Sequence, residues 1–454
     1  MLGKTEHIHF VGIGGISMSG LATIMRNLKF KVSGSDIQRS EITERLEKIG
    51  ITISYRHKKN NVSGADVVVY SSAIKDDNPE LTEAKRVDIP VIHRGELLAE
   101  LTRMKIAICI SGTHGKTTTT SIIGEVLEQG KLSPTTVVGG IIHGKSQAQL
   151  GKGEYLVCEA DESDKSFLRL FPSYAVITNI EAEHLDYYKN LDEIKENFTY
   201  FGSHVPFWGC TFLGADSVGN LEIQDKIRRK TILYGLNERA VLRAENIQKY
   251  NFGSSFMVRY GSTEVGTFRT TLPGKHNVSN ALAAIGIGLE IGITPAKIKK
   301  ALAEFSGIRR RLEYCGEVRG IRIFDDYGHH PTEIAVTLQT VRDYFPGDRI
   351  ISVFQPHRYT RTHYLFNDFA FSFLYADAVI VTEIYPAHEL PIPGVSGESL
   401  AKRMKKEHEA IYFILDFKGI IEFLTEFARP RDIIVIQGAG NINQIAQKLM
   451  EALA

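Results

Sequence analysis

The chain has 454 residues, more than one hydrophobic core organises, which predicts about three domains. Its 43% hydrophobic and 24% charged content is ordinary for a globular protein, and a net charge of +1 argues against nucleic-acid or membrane partners. Cys109, Cys158, Cys210 and Cys315 have no paired spacing and read as small apolar residues in a reducing compartment. With no cationic leader and no apolar run of bilayer length, the expected location is the cytoplasm.

The first hundred residues alternate short apolar strands with amphipathic helices, as a parallel sheet requires. Strands are expected over 7–11, 31–34 and 67–70, and helices over 17–27 and 40–49. A second unit opens near Lys105 with an apolar strand over 106–110 and further strands over 155–158 and 174–178. A β-rich stretch over 231–271 precedes a helix-rich segment, 276–305, with Pro295 at a helix start. A third unit begins near Gly307, with strands over 321–324, 350–354, 378–382 and 433–436. The expected fold is α/β in three domains: a Rossmann-like 1–104, a central P-loop mixed sheet at 105–306, and a Rossmann-like open sheet at 307–454.

The glycine-rich turn at Gly12, Gly14 and Gly15 resembles a dinucleotide loop but has Ser17 where the strict fingerprint has glycine. Asp36, some twenty residues on, could meet a ribose hydroxyl. A nucleotide diphosphate, NAD(P) and a structural turn all remain open there.

Ser111–Thr120 reads SGTHGKTTTT directly after a strand. A glycine loop at a helix start aims backbone N–H groups at phosphate, here from Gly112, Thr113, His114 and Gly115. Lys116 adds a positive charge, and Thr117 and Thr118 add hydroxyls, the first suited to Mg²⁺. Glu159, the first acid expected after its strand, is placed to anchor that metal, with Asp161, Glu162 and Asp164 read as solvated loop acids. The loop after the next strand gathers Asn179, Glu181, His184 and Asp186, and His184 could ligate a second cation. Asn277 and Asn280 could pair with a purine edge or simply cap a helix. The third unit carries Asp325 to Glu333 (DDYGHHPTE) and, after its next strand, Arg358 and Arg361, whose forks suit a carboxylate.

Eight segments in order resemble the Mur ligase family: GIGGISMSG, SGTHGKTTT, EADESD, TNIEAEHLD, GKHNVSNALAA, GIRRRLE, DDYGHHPTE and FQPHRYTRT. The likeness covers the whole chain and is strongest to the alanine-adding branch. It implies ATP-dependent joining of L-alanine to the carboxylate of UDP-N-acetylmuramate through an acyl phosphate, with two Mg²⁺ sites or Mn²⁺ in their place. By position, Gly12, Gly14, Gly15, Ser17, Asp36, Ser71 and Ser72 would dock the UDP-sugar. Thr117, Glu159 and His184 would hold metal. Lys116, Asn277, Asn280, Arg311 and Asp326 would contact ATP, and Tyr327, His329, Arg358 and Arg361 would receive alanine. His329 and His330 are candidate bases for the amine.

A monomer or weak homodimer is expected. Two departures from the family pattern stand out. The neighbourhood where relatives carry a carbamylated lysine has Lys195 as its nearest lysine, and residues 92–96 read IHRGE. The rival readings are a murein-peptide recycling ligase, an NAD(P) oxidoreductase and a nucleotide-switch protein.

Overall fold

The computed structural model describes residues 2–140, 148–184, 187–387 and 389–454. Its first sheet joins β1 (His7–Val11), β2 (Lys31–Ser35), β3 (Thr52–Ser54), β4 (Val67–Tyr70) and β5 (Val91–His93) in the order β3-β2-β1-β4-β5. Every pairing is parallel. All five positions of β1 are buried, as they must be in a strand covered on both faces. The accompanying helices are α1 (Ile16–Asn27), α2 (Glu41–Lys48), α3 (Pro79–Arg86) and α4 (Arg94–Met104). Local chemistry starts them: Ser40 and Thr43 form a capping box on α2, and Asn78 caps α3 with Pro79 at its first position.

The second sheet is mixed. Its strands are β6 (Ile106–Ser111), β7 (Thr135–Val137), β8 (Ala148–Gln149), β9 (Tyr155–Glu159), β10 (Tyr174–Ile177), β11 (Cys210–Gly214), β12 (Thr231–Gly235), β13 (Leu242–Tyr250), β14 (Gly253–Tyr260) and β15 (Thr263–Thr270). They run in the order β15-β14-β13-β12-β11-β10-β6-β9-β7-β8, with β6 parallel to both its neighbours. Helices α5 (Lys116–Gln129), α6 (Leu191–Ser203), α7 (Val218–Ile223), α8 (Lys275–Ile291) and α9 (Pro295–Glu304) belong to this stretch of chain. Pro295 holds the first position of α9, as expected.

The third sheet contains β16 (Glu313–Val318), β17 (Ile321–Asp326), β18 (Ile350–Phe354), β19 (Ala378–Val381), β20 (Ile411–Phe413) and β21 (Ile433–Gln437), in the order β16-β17-β21-β18-β19-β20. Only β16 is antiparallel to its neighbour. α10 (Pro331–Tyr344) follows β17.

The three sheets fall into two compact units. One comprises Met1–Gln248, Ser254–Thr271 and Asn277–Ser306; the other comprises Lys249–Gly253, Leu272–His276 and Gly307–Ala454. A single apolar cluster explains why the first two sheets share a unit. It runs from Phe10 and Leu21 through Leu101 to Phe167 and Phe198. Third-sheet residues are packed on both faces, around Phe354 and Phe369 in one cluster and Val353 and Ile445 in another.

Several strands outlast their apolar runs. β6 ends at Ser111, β9 at Glu159 and β17 at Asp326, so Glu159, Asp325 and Asp326 lie in strands and not in the loops after them. The extra residues have partners. Ser111 donates to Ala160 O at 2.8 Å, Asp325 stands opposite Glu313, and Asp326 stands opposite Gln437. An apolar run therefore sets only the minimum length of a strand. All four cysteines are free, with Cys109 and Cys158 in register on β6 and β9. Among the described residues no helix is long and apolar enough to cross a membrane.

Candidate active site

The phosphate loop joins β6 to α5, and its glycines are obligatory. Gly112 has φ +131°, and a Cβ there would lie 2.1 Å from Thr178 Oγ1. Gly115 has φ +80°, and a Cβ there would lie 2.8 Å from Asn280 Oδ1. Only glycine adopts such backbone at no steric cost. The end of β10 buttresses the loop. Thr178 Oγ1 donates to His114 O at 2.6 Å, and Asn179 both accepts from His114 N–H at 2.9 Å and donates to His114 O at 3.1 Å. Asn280 packs from the other side, accepting from Thr119 Oγ1 at 3.1 Å and donating to Asn277 Oδ1 at 3.2 Å. Its amide thus ties the start of α8 to the first turn of α5, behind the loop.

Lys116 folds back over this loop. Its Nζ donates to Gly112 O at 2.6 Å, Thr113 O at 3.1 Å and Glu162 Oε1 at 2.7 Å. Burial works against the ammonium charge, but Glu162 outweighs it and raises the pKa to about 12. Burial in turn pushes the Glu162 carboxyl up against the pull of Lys116. Glu162 is therefore no solvated loop acid: its side chain is 5% exposed. Asp164 is buried as well, and Asp161, half-buried, is tied down with it. Arg94 Nη2 reaches both, at 2.7 and 3.2 Å. Burial opposes the Asp161 charge, yet Arg94 and Lys116 hold its pKa well below the carboxylate range.

Beside the expected Glu159, the structure gathers two further acids with His184. Glu162, Glu183 and His184 bring one ligand atom each within 4.8 Å of one another. Glu162 Oε2 is buried with no hydrogen-bond partner, and two carboxylates with an imidazole form a donor set that fits a divalent cation. Glu159 accepts from Gly139 N–H at 2.6 Å and belongs to no such group among the described residues. Thr117 and Thr118 are buried in the first turn of α5. Asp186 lies outside the described residues. Lys195 is held by Glu222 at 2.5 Å, which raises its pKa and keeps it an ammonium, the form that does not carbamylate.

The N-terminal turn is built differently. Gly14 N–H donates to Asp36 Oδ2 at 2.8 Å, and Asp36 Oδ1 accepts from Ile37 and Gln38 N–H at 2.8 and 3.2 Å. Asp36, expected to reach a ribose, thus holds the turn beside Gly12 and Gly15. Ser17 lies in the first turn of α1. Ser71 and Ser72 follow β4, and Ser72 Oγ donates to Asp164 Oδ2 at 2.8 Å. The departure at 92–96 has a structural reason as well. His93 caps α4, and a Cβ at Gly95 would lie 2.6 Å from Ser166 Cβ, so alanine does not fit there.

In the second unit the ends of β17 and β18 converge. The rings of His329 and His357 lie 5.9 Å apart, and Tyr327 lies edge-on to His329 at 5.4 Å. Arg311 sits over the Tyr327 ring at 5.3 Å and 3.9 Å from Glu333. His330 caps α10. Asp326 accepts from Leu312 N–H, Gly328 N–H and Thr337 Oγ1 at 2.9, 2.9 and 3.2 Å. Arg358 Nε donates to Glu389 at 2.5 Å, and Arg361 Nη1 lies 3.2 Å from His357 Nδ1. Burial, with the charges of His329 and Arg361, pushes His357 down to about 3. Glu389 had no signal in the sequence, because its partners Arg358 and Thr360 lie on another loop, and His357 sits unremarked inside FQPHRYTRT.

Three family models match the chain: the Mur ligase family catalytic domain over 7–106, the Mur ligase middle domain over 110–288, and the Mur ligase glutamate ligase domain over 310–440. The chain is 48% identical over 455 residues to the UDP-N-acetylmuramate–L-alanine ligase of Geotalea uraniireducens (strain Rf4), covering 100% of this chain and 99% of that protein. It is 45% identical over 456 residues to the ligase of the same name from Geobacter sulfurreducens, again covering 100% and 99%. Among solved structures, the UDP-N-acetylmuramate–alanine ligase of Thermotoga maritima superposes with a TM-score of 0.82 at 30% identity over 98% of both chains. A murein peptide ligase from Psychrobacter arcticus 273-4 gives 0.73 at 25% identity over 98% of both.

Proposed function

The chain belongs to the Mur ligase family, and we propose that it joins L-alanine to the carboxylate of UDP-N-acetylmuramate with conversion of ATP to ADP and phosphate. It is an ATP-dependent ligase of peptidoglycan precursor synthesis. The observation that carries the reading is Lys116, folded over a glycine loop and gripped by a buried acid, in a chain 48% identical along its full length to a ligase of that name.

The proposed division of labour follows the sheets. Residues 1–104 take the UDP-sugar at Gly12, Gly14, Gly15, Ser17, Asp36, Ser71 and Ser72. Residues 105–306 take ATP, with Gly112 to Thr118 along the triphosphate and Asn277 and Asn280 behind the loop. Residues 307–454 supply Arg311 and Asp326 toward the nucleotide and Tyr327, His329, Arg358 and Arg361 toward alanine.

The sugar carboxylate attacks the γ-phosphorus and becomes an acyl phosphate; the neutral amine then attacks the acyl carbon and phosphate leaves. Two backbone carbonyls and Glu162 hold the Lys116 ammonium at the loop, so a positive charge stands there for the phosphoryl group, and exchanging one of these bonds frees an N–H for it. Glu162, Glu183, His184 and the Thr117 hydroxyl would hold Mg²⁺ or Mn²⁺, which when bound offsets repulsion between a carboxylate and a triphosphate. His329, with Nδ1 3.0 Å from Tyr327 O and 3.5 Å from Glu333, is placed to take the proton of the ammonium group.

The test is phosphate release with UDP-N-acetylmuramate across single amino acids and short peptides. Alanine dependence is expected. Release driven by a tripeptide and not by alanine would move the chain to the recycling activity that the Psychrobacter likeness raises.

A further inference from the structure

Arg94 opens α4 immediately after β5, on the sheet assigned to the sugar nucleotide. Its guanidinium is 15% exposed and is shared between Asp161 and Asp164 of the acidic loop after β9. Asp164 Oδ2 also accepts from Ser72 Oγ at 2.8 Å, with His93 Nε2 3.6 Å away. The acidic loop is stiff between these points. Asp161 Oδ1 accepts from Ser163 N–H at 3.1 Å, and Asp164 Oδ1 accepts from Ser166 N–H at 3.0 Å. Between the two aspartates sits Glu162, the acid that grips Lys116 at 2.7 Å. Gly95 lets α4 approach close enough for the clamp, because a Cβ there would meet Ser166.

Hydrogen bonds and ion pairs therefore join Ser72, Asp164, Arg94 and Asp161, and the backbone of the same loop carries on to Glu162 and the phosphate-loop lysine. Both Arg94 bonds come from the one nitrogen Nη2, whose two N–H groups serve a carboxylate each, and the planar guanidinium fixes their directions as a freely rotating ammonium does not. Nothing in the chemistry requires Arg94 to touch a substrate.

We infer that Arg94 is a positioning residue that couples occupancy of the sugar-nucleotide loop at Ser72 to the setting of Glu162 and Lys116 at the triphosphate. The inference rests on the UDP-sugar and ATP assignments above. Coupling of this kind is reciprocal: each ligand must tighten the other by the same factor.

The experiment uses the full chain with Mg²⁺, titrating adenylyl imidodiphosphate by calorimetry with and without saturating UDP-N-acetylmuramate. For the wild type, the sugar nucleotide should tighten the analogue at least about 5-fold, the lower end of ordinary coupling. Arg94→Gln should reduce that factor below about 2-fold while each ligand alone binds within about 3-fold of wild type. In turnover, the ATP KM at saturating sugar should rise while kcat with all substrates saturating changes far less. Arg94→Lys should keep an intermediate factor, and it replaces Arg94→Gln as the deciding variant if the latter does not fold. An unchanged factor in the variant, a wild type without coupling, or equal loss of both separate affinities would each overturn the inference. Alanine-dependent phosphate release by the wild type is read separately. Its absence would sink the assigned reaction, whereas its presence beside unchanged coupling would sink only the role of Arg94.

Discussion

Two glycine turns in this protein have the same local grammar, a parallel strand followed by glycines and a helix, and opposite electrostatics. The turn after β1 carries its own anion: Asp36 satisfies Gly14 N–H at 2.8 Å. The turn after β6 carries its own cation: Lys116 lies over Gly112 O and Thr113 O. The second unit repeats the first solution, with Asp326 accepting from Gly328 N–H at 2.9 Å. A glycine turn thus says that a backbone must be approached closely. The side chain returned to it sets the local charge. A lysine over one turn suits a triphosphate, whereas the aspartate at the other is taken up by the N–H groups of Gly14, Ile37 and Gln38 and fixes the shape of that turn.

The largest expected effect removes the cation. Lys116→Ala should lower kcat about 100- to 1,000-fold, the usual loss for one preorganised charge at a transition state, and leave UDP-N-acetylmuramate affinity within about 3-fold by calorimetry. Near-normal turnover would erase the contrast between the turns.

Next is the backbone. Gly112→Ala faces both φ +131° and a 2.1 Å approach to Thr178 Oγ1, whereas Gly14→Ala, without a positive φ, meets side chains alone, Asp36 Oδ2 at 2.7 Å and Thr43 Cγ2 at 3.1 Å. Strain of the first kind costs on the order of 1–3 kcal/mol before the clash is counted. Denaturant midpoints should therefore fall further for Gly112→Ala than for Gly14→Ala; the reverse order would refute the reading of both turns.

A smaller effect belongs to the built-in anion. Asp36→Ala leaves Gly14 N–H without its acceptor, a loss of about 1 kcal/mol in neighbouring cases. UDP-sugar KM should rise several-fold while ATP KM holds. Equal rises in both would show that the turn does not discriminate.

The smallest effect is a pH slope in the second unit. Burial raises Asp325 from 3.8 to about 7 against the pull of Arg310. A folded-state pKa above the unfolded one means stability present in full below about pH 3.8 and lost as pH rises through about 7. Asp325→Asn should flatten that decline, by no more than about 1 kcal/mol per pH unit. Parallel stability curves for the two proteins from pH 5 to 8 would contradict it.

Much of this was legible in the chain itself. The strands at His7–Val11, Val67–Tyr70 and Ile350–Phe354 fell on their apolar runs, and Pro295 marked a helix start. SGTHGKTT placed the phosphate loop because glycine conformation, helix start and lysine are all local, set within a few residues. Choosing among acids was different. Glu159, Asp161, Glu162 and Asp164 lie within six residues. Nothing in their order reveals that one meets Gly139, two meet Arg94 and one meets Lys116.

By itself, then, the sequence determined the strands, the turns that need glycine and the presence of a lysine at a helix start, because torsional preference and hydrophobic periodicity act over neighbouring residues. Only the tertiary structure decided which charge meets which. Arg94 and Asp161 are 67 residues apart, and Asp36 and Gly14 are 22 apart. Coulomb energy depends on separation in space and on shielding from water, and folding alone sets both.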